Sequence, residues 1–290
     1  MSELEAFELI DKADKKVNST SWFPFGGKSK QEDAVDLYTR AANILKNNKR
    51  WKESADTFSK VADLLVRLGE RSEASSRYIN AAQCYKKCSP EEAIIAYKNG
   101  IDILAEAGRF QSAASHQKEI AEILECDIGD MDRAILAYEA AADWYSGEDA
   151  NALANSCWIK VAHLAAQHEK YEKAIEKFEY VAHASVDNSL AKWSVKEYLL
   201  KAGLCRFLQD GGDIVGIKKT IEKYRDIDMT FGSTREYKLL TEILEAVEQG
   251  DPQLYTDVVT EYDRFSKLDA WKTSILLKIK KSIEAEPSLT

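Results

Sequence analysis

A short pattern recurs along the first two thirds of this chain: an alanine, a large aromatic residue four positions on, and a small or apolar residue four positions further. It reads Ala34/Tyr38/Ala42, Ser54/Phe58/Ala62 (serine leading), Ala74/Tyr78/Ala82 and Ala93/Tyr97/Ile101. It returns as Ala134/Tyr138/Ala142, Ala154/Trp158/Ala162 and Ala174/Phe178/Ala182, with a weaker copy, Ala113/Gln117/Ala121, in between. Spacing of i, i+4, i+8 sets the three residues along one face of a helix. Small residues let two helices approach, and the aromatic fills the groove between them. Successive copies begin about 20 residues apart and alternate copies about 40 apart. A unit of that length is two antiparallel helices, each nearly a turn longer than in the tetratricopeptide repeat of about 34 residues. The fold this predicts is all-α: a tetratricopeptide-like α-solenoid of antiparallel helix pairs.

Helix breakers fall where such pairs need them. Leu68-Gly69, Ala107-Gly108, Ile128-Gly129-Asp130 and Ser146-Gly147-Glu148 read as turns. Ser89-Pro90 offers an N-cap followed by proline at the first helical position, and Asp251-Pro252 repeats the device. The repeat fades after about residue 208, where Gln209-Asp210-Gly211-Gly212-Asp213 marks a boundary. Helical stretches at about 214–225, 234–249, 252–266 and 270–284 predict a C-terminal helical bundle that caps the solenoid's open end. The domains expected are therefore 1–208, holding an N-terminal helix and the helix-hairpin repeats, and 209–290, the bundle and a short tail.

A net charge of −9 argues against nucleic acid as a partner. Five cysteines, at 84, 88, 126, 157 and 205, are odd in number and match no metal-binding spacing, as expected of reduced thiols in a cytoplasmic protein. Cys84 and Cys88, one helical turn apart, read as two small buried residues rather than half of a metal site. The N-terminus is acidic and lacks an apolar core for a signal peptide, and no apolar stretch is long enough to span a bilayer, so membrane contact is expected to be peripheral. The four histidines do not converge: His163 and His168 lie roughly 140° apart around a helix. Gly27-Lys28-Ser29 resembles the end of a nucleotide-binding loop, but Trp22 stands where that motif requires glycine. No cofactor, metal or catalytic machinery is expected.

Three segments carry a family resemblance. They are the run from Glu261 to Trp271 followed by Leu276 to Lys281, the run from Ala142 to Glu148 with Ala154 to Ala162 behind it, and Trp22-Phe23-Pro24-Phe25-Gly26-Gly27. In order and over nearly the whole length, the chain resembles the alpha-SNAP family, the soluble NSF attachment proteins. That resemblance implies a non-catalytic adaptor of vesicle-mediated transport, including traffic between endoplasmic reticulum and Golgi. Such an adaptor binds the SNARE four-helix bundle of syntaxin-like and synaptobrevin-like proteins, several copies per complex. It recruits and stimulates the hexameric ATPase NSF, which takes the bundle apart. Its place is the cytoplasm, peripherally associated with membranes.

Three sets of residues would carry this work. Trp22, Phe23 and Phe25 lie in a segment broken by Pro24 and two glycines, and exposed aromatics of this kind suit a membrane interface. Each would contribute about 1.5–3 kcal/mol on burial, so one copy binds weakly and several act together. Lys28 and Lys30 follow, able to meet anionic headgroups, whereas the bland reading has the aromatics folded back onto the first repeat. For the acidic SNARE bundle, the resemblance points to Lys160, Lys196, Lys201 and Arg235, which periodicity alone reads as solvated surface charges. Ser115 and Ser156 stand where the family carries lysine, with Lys118 and Lys87 as neighbouring cations. For the ATPase, it points to Glu245, Glu248 and Asp251, and to Leu289 in a tail thinner in acid than the family pattern. The rival readings are a tetratricopeptide-like scaffold that grips an extended peptide, for which Lys49, Arg50 and Lys52 form only a loop run, and a divergent SNAP-family adaptor.

Overall fold

The computed structural model describes residues 2–18, 26–209 and 213–285, with only the backbone of 26–28. Within them lie fourteen α-helices and no strand. The chain divides into two compact units, Met1–Ala154 and Asn155–Thr290.

The first unit contains α1 (Glu3–Asn18), α2 (Gly26–Asn47), α3 (Trp51–Leu68), α4 (Arg71–Tyr85), α5 (Pro90–Glu106), α6 (Phe110–Ile123) and α7 (Met131–Gly147). Each packs on the next. The repeated pattern forms the core: Ala34, Ala62, Ala74, Ala93, Ala113, Ala134 and Ala142 are fully buried, with Phe58, Tyr97 and Tyr138 filling the space between helices. Tyr78 and Gln117 are half-buried. Ser54, the one serine leading a copy, donates its hydroxyl to the Ala42 carbonyl at 2.9 Å, so its burial leaves no donor unmet. Gly100 extends the small-residue logic beyond the pattern. A Cβ there would stand 2.7 Å from Ile79 Cδ1 and 3.3 Å from the Ser75 carbonyl, so a larger residue would displace Ile79 and crowd the close approach of α4 and α5. Tyrosine at the aromatic position brings a polar tip that needs a partner. Tyr38 donates to Asp14, Tyr78 to Asp63 and Tyr138 to Glu125. Burial and these carboxylates push all three phenols above their ordinary range.

The turns follow two chemistries. Gly69, Gly108 and Gly129 take the left-handed conformation at helix ends, as their sequence positions predict. Lys49 and Asp149 take it too, at φ 59° and 56°, without glycine. Gly147 stays inside α7 as its last residue. Ser89 stands at the N-cap of α5 but its side chain makes no capping bond, so the expected cap reduces to Pro90 at the start of the helix. Cys84 is buried, whereas Cys88 is exposed, because α4 ends at Tyr85 and Cys88 lies in the turn beyond. Two buried thiols were expected at this pair, and there is one.

The second unit holds most of α8 (Asn151–Gln167), then α9 (Tyr171–Ser185), α10 (Val195–Gln209), α11 (Ile214–Ile227), α12 (Arg235–Gln249), α13 (Pro252–Phe265) and α14 (Ala270–Ala285). The last four sit where the sequence predicts them. Helix α10 is the hub and packs on α9, α11, α12 and α14. It is buried nearly all round, through Val195, Leu199, Leu200, Ala202, Leu204, Cys205 and Phe207. Leu240 of α12 fits against Gly203, where a Cβ would meet it at 2.7 Å.

Candidate functional site

Lys201 and Lys272 reach one carboxylate from two helices. Glu197 Oε1 lies 2.9 Å from Lys272 Nζ and 3.6 Å from Lys201 Nζ. Both lysines are 7% exposed. The Lys201 ammonium also donates to His163 Nε2 at 2.9 Å, which makes that nitrogen the acceptor and leaves the ring proton on Nδ1. Trp271 completes the cluster. Its indole donates to the His163 carbonyl at 3.2 Å, and its ring packs against His163 and Phe178 at 5.4 and 5.6 Å. Lys201 Nζ lies 5.5 Å from the Trp271 ring centre. These contacts clamp α14 onto α8, α9 and α10. Lys201, which periodicity alone reads as a solvated charge, is buried, and its ammonium is taken up by Glu197, His163 and Trp271.

Lys196 and Arg235 converge on the start of α12. Lys196 pairs with Glu236 at 3.2 Å, its own side chain 46% exposed and that of Glu236 only 6%. Glu236 lies in the first turn of α12, where the helix dipole favours an anion, and its Oε2 is buried without a protein hydrogen-bond partner. Arg235, the neighbouring residue, is exposed and stacks over the ring of Phe265 at 5.0 Å. A cleft of about 250 Å³ lies here, between Arg235, Lys238 and Glu242 on one side and Glu261, Tyr262 and Phe265 on the other. Lys160 is half-buried on α8.

Apolar exposure in the same unit is a feature the sequence did not flag. Leu190 is 90% and Trp193 74% exposed in the connection from α9 to α10, with Lys192 Nζ 5.1 Å from the Trp193 ring. The signal available was the interruption of the repeat between Ala182 and Val195 by a run containing Leu190 and Trp193.

At the acidic end, Glu245 and Glu248 are exposed one turn apart on α12. With Glu222 and Lys218 of α11 they border a cleft of about 260 Å³ floored by Leu244 and Ile221. Glu222 was not anticipated. Asp251 serves differently: its carboxylate caps α13, accepting from the backbone of Gln253 at 2.8 Å and Leu254 at 3.0 Å. It thereby anchors the start of a helix. Trp22, Phe23, Phe25 and Leu289 lie outside the described residues. Among the described residues, no group of three or more metal-binding side chains comes together, and no helix is long and apolar enough to cross a membrane.

Comparison with known proteins agrees in one direction. The family model described as Soluble NSF attachment protein, SNAP, matches residues 4–284. A beta-soluble NSF attachment protein of Bos taurus is 42% identical over 287 residues, covering 98% of this chain and 95% of that protein. An alpha-soluble NSF attachment protein of Mus musculus is 41% identical, covering 98% and 96%. A probable vesicular-fusion protein of Schizosaccharomyces pombe is 41% identical, covering 98% of each. This chain belongs to the soluble NSF attachment protein family.

Proposed function

We propose that this chain is a non-catalytic adaptor that holds SNARE four-helix bundles and presents them to the hexameric ATPase NSF for disassembly. The observation that carries this reading is the end-to-end match to relatives named for NSF attachment and vesicular fusion, covering 95–98% of each protein. Arg235, Lys196 and Lys160, joined by exposed Leu190 and Trp193, make the surface for the acidic bundle: cations for its charge, apolar groups for its exposed seams. Lys201 is assigned to the clamp instead. Glu222, Glu245 and Glu248 make the surface for the basic ATPase, with Asp251 holding α13 beside them. Trp22, Phe23 and Phe25 make the peripheral membrane contact in the cytoplasm, and Leu289 stimulates the ATPase. Several copies act on one bundle.

The test is a disassembly assay with purified SNARE complex, NSF and ATP, with and without this protein. Bundle loss that depends on the added protein supports the reading, and Arg235→Glu with Lys196→Glu should slow it by weakening capture. A folded protein without effect would overturn it. Leu289→Ala should lower ATPase stimulation while leaving capture of the bundle intact.

A further inference from the structure

Arg235 opens α12, at the end of a helix where the dipole disfavours a cation, so its own helix does little to hold it. Phe265 holds it from outside. Phe265 ends α13 and is 63% exposed, and the Arg235 guanidinium lies over its ring at 5.0 Å. A guanidinium stacked on an aromatic face engages the ring through its plane and keeps its N–H donors, which point outward within that plane. Among the described residues, no hydrogen bond or ion pair takes up any of those donors. The other charges around the adjoining cleft are already matched. Lys238 pairs with Glu242 at 3.5 Å and Arg264 with Glu261 at 3.3 Å, each within one turn of its own helix. Glu236 is turned inward and takes Lys196 at 3.2 Å. The charge left over is therefore one oriented guanidinium, at a cleft whose wall includes the buried side chains of Leu239 and Tyr262.

We infer that Phe265 is a positioning residue for Arg235: its ring presets the guanidinium as a fork that receives one carboxylate side chain of the partner in two parallel hydrogen bonds. Resting on the adaptor function proposed above, that carboxylate is an aspartate or glutamate on the surface of the SNARE bundle. A carboxylate matches the fork in plane and in spacing, and the paired bonds are stronger than those between neutral groups. Glu242 and Glu261 border the same cleft, so a singly charged carboxylate is favoured there over a doubly charged phosphate. An exposed arginine ordinarily loses side-chain freedom on binding. Stacked on Phe265, it is ordered before the partner arrives, which favours affinity without any added contact. This separates Arg235 from Lys196, whose ammonium is already held by Glu236.

Two measurements test this, the first on the full chain alone. Nitrogen-15 relaxation of the arginine Nε–H groups reports how firmly each side chain is held. Arg235 should be more ordered than Arg264, whose side chain is 71% exposed, should loosen in Phe265→Leu and should stay ordered in Phe265→Tyr. An Arg235 as mobile as Arg264 in the wild type would overturn the inference. The second measurement is the affinity for purified SNARE complex. Phe265→Leu keeps apolar bulk but removes the ring, and should weaken capture roughly two- to fivefold. Phe265→Tyr should restore it, and in an Arg235→Gln background Phe265→Leu should cost nothing further. A loss of equal size in that background would mean that the ring touches the partner directly, and would overturn the positioning role. Capture indifferent to Phe265 would overturn this inference and leave the adaptor reading standing. A folded wild type that captures no complex would overturn the adaptor reading and the acidic bundle as occupant, while the order of Arg235 still decides the positioning.

Discussion

The two units solve the problem of bringing helices together in opposite ways. In the first, the buried polar side chains among the described residues are the hydroxyls of Ser54, Thr57 and Ser75, each bonded to a backbone carbonyl, and the other buried side chains are chiefly alanine, aromatic or aliphatic. In the second, the buried charged side chains among the described residues are Lys201, Glu236 and Lys272. The first unit is packed by shape, and its ion pairs between helices, such as Arg50–Glu3 and Arg133–Glu91, lie at the exposed surface. The second carries charged contacts in its interior as well. Shape is forgiving of small changes and additive, whereas a buried charge that loses its partner keeps the full cost of leaving water.

This difference can be broken at Glu197. Glu197→Ala leaves two lysines without their shared carboxylate and should destabilise the second unit by about 3 kcal/mol, the low end for a broken buried pair because Glu197 is itself partly exposed. Hydrogen exchange of the α14 amides would show it, and unchanged protection there would mean that the clamp is packing alone. Next in size, Ala62→Leu in the first unit should cost about 2 kcal/mol by overfilling a fully buried site, read from exchange in α3. Smaller again is the contrast of two proline-led helix starts. Asp251→Ala removes two capping bonds and should cost about 1 kcal/mol, while Ser89→Ala removes none and should cost less than about 0.5 kcal/mol, both measured by denaturant unfolding.

The smallest effect concerns acid. His116 stacks on Tyr97 at 5.8 Å, and burial holds its pKa below the ordinary 6.5, with Glu119 opposing. A depressed histidine means that the unfolded chain binds a proton that the folded one refuses. Stability is then lost as pH falls below about 6.5, in addition to any general acid effect. His116→Phe should remove that part of the slope in urea titrations at pH 7 and pH 5.5. An unaltered slope would assign the acid sensitivity elsewhere.

What could be read in advance follows the same division. The repeated Ala–aromatic–small pattern predicted the helices and the buried faces because both are set by residues within eight positions of each other. The clamp was illegible because its bonds join residues far apart in sequence: 38 positions for Lys201 and His163, 75 for Lys272 and Glu197, 108 for Trp271 and His163. Periodicity also failed at Lys201 for a local reason. Helix α10 is covered on nearly every side, so a lysine in it no longer marks a solvent face. At the turns, glycine announced Gly69, Gly108 and Gly129, but nothing in residue type announced that Lys49, Asp149 and Glu169 would adopt the same left-handed geometry. Asp251 was recognised both as a cap and as an acidic contact, and its geometry shows the first role.

The placement of cations on two sides of the solvent boundary has a practical consequence. Added salt weakens attraction between exposed charges over about 8–10 Å at ordinary ionic strengths and acts far less on pairs withdrawn from water. Arg235 and the outer part of Lys196 belong to the first class, and Lys201 and Lys272 to the second. A moderately concentrated salt wash should therefore release this protein from an acidic surface while α14 stays seated. Elution and unfolding become separable operations, and a preparation stripped in this way should return to its partner on dilution without a refolding step.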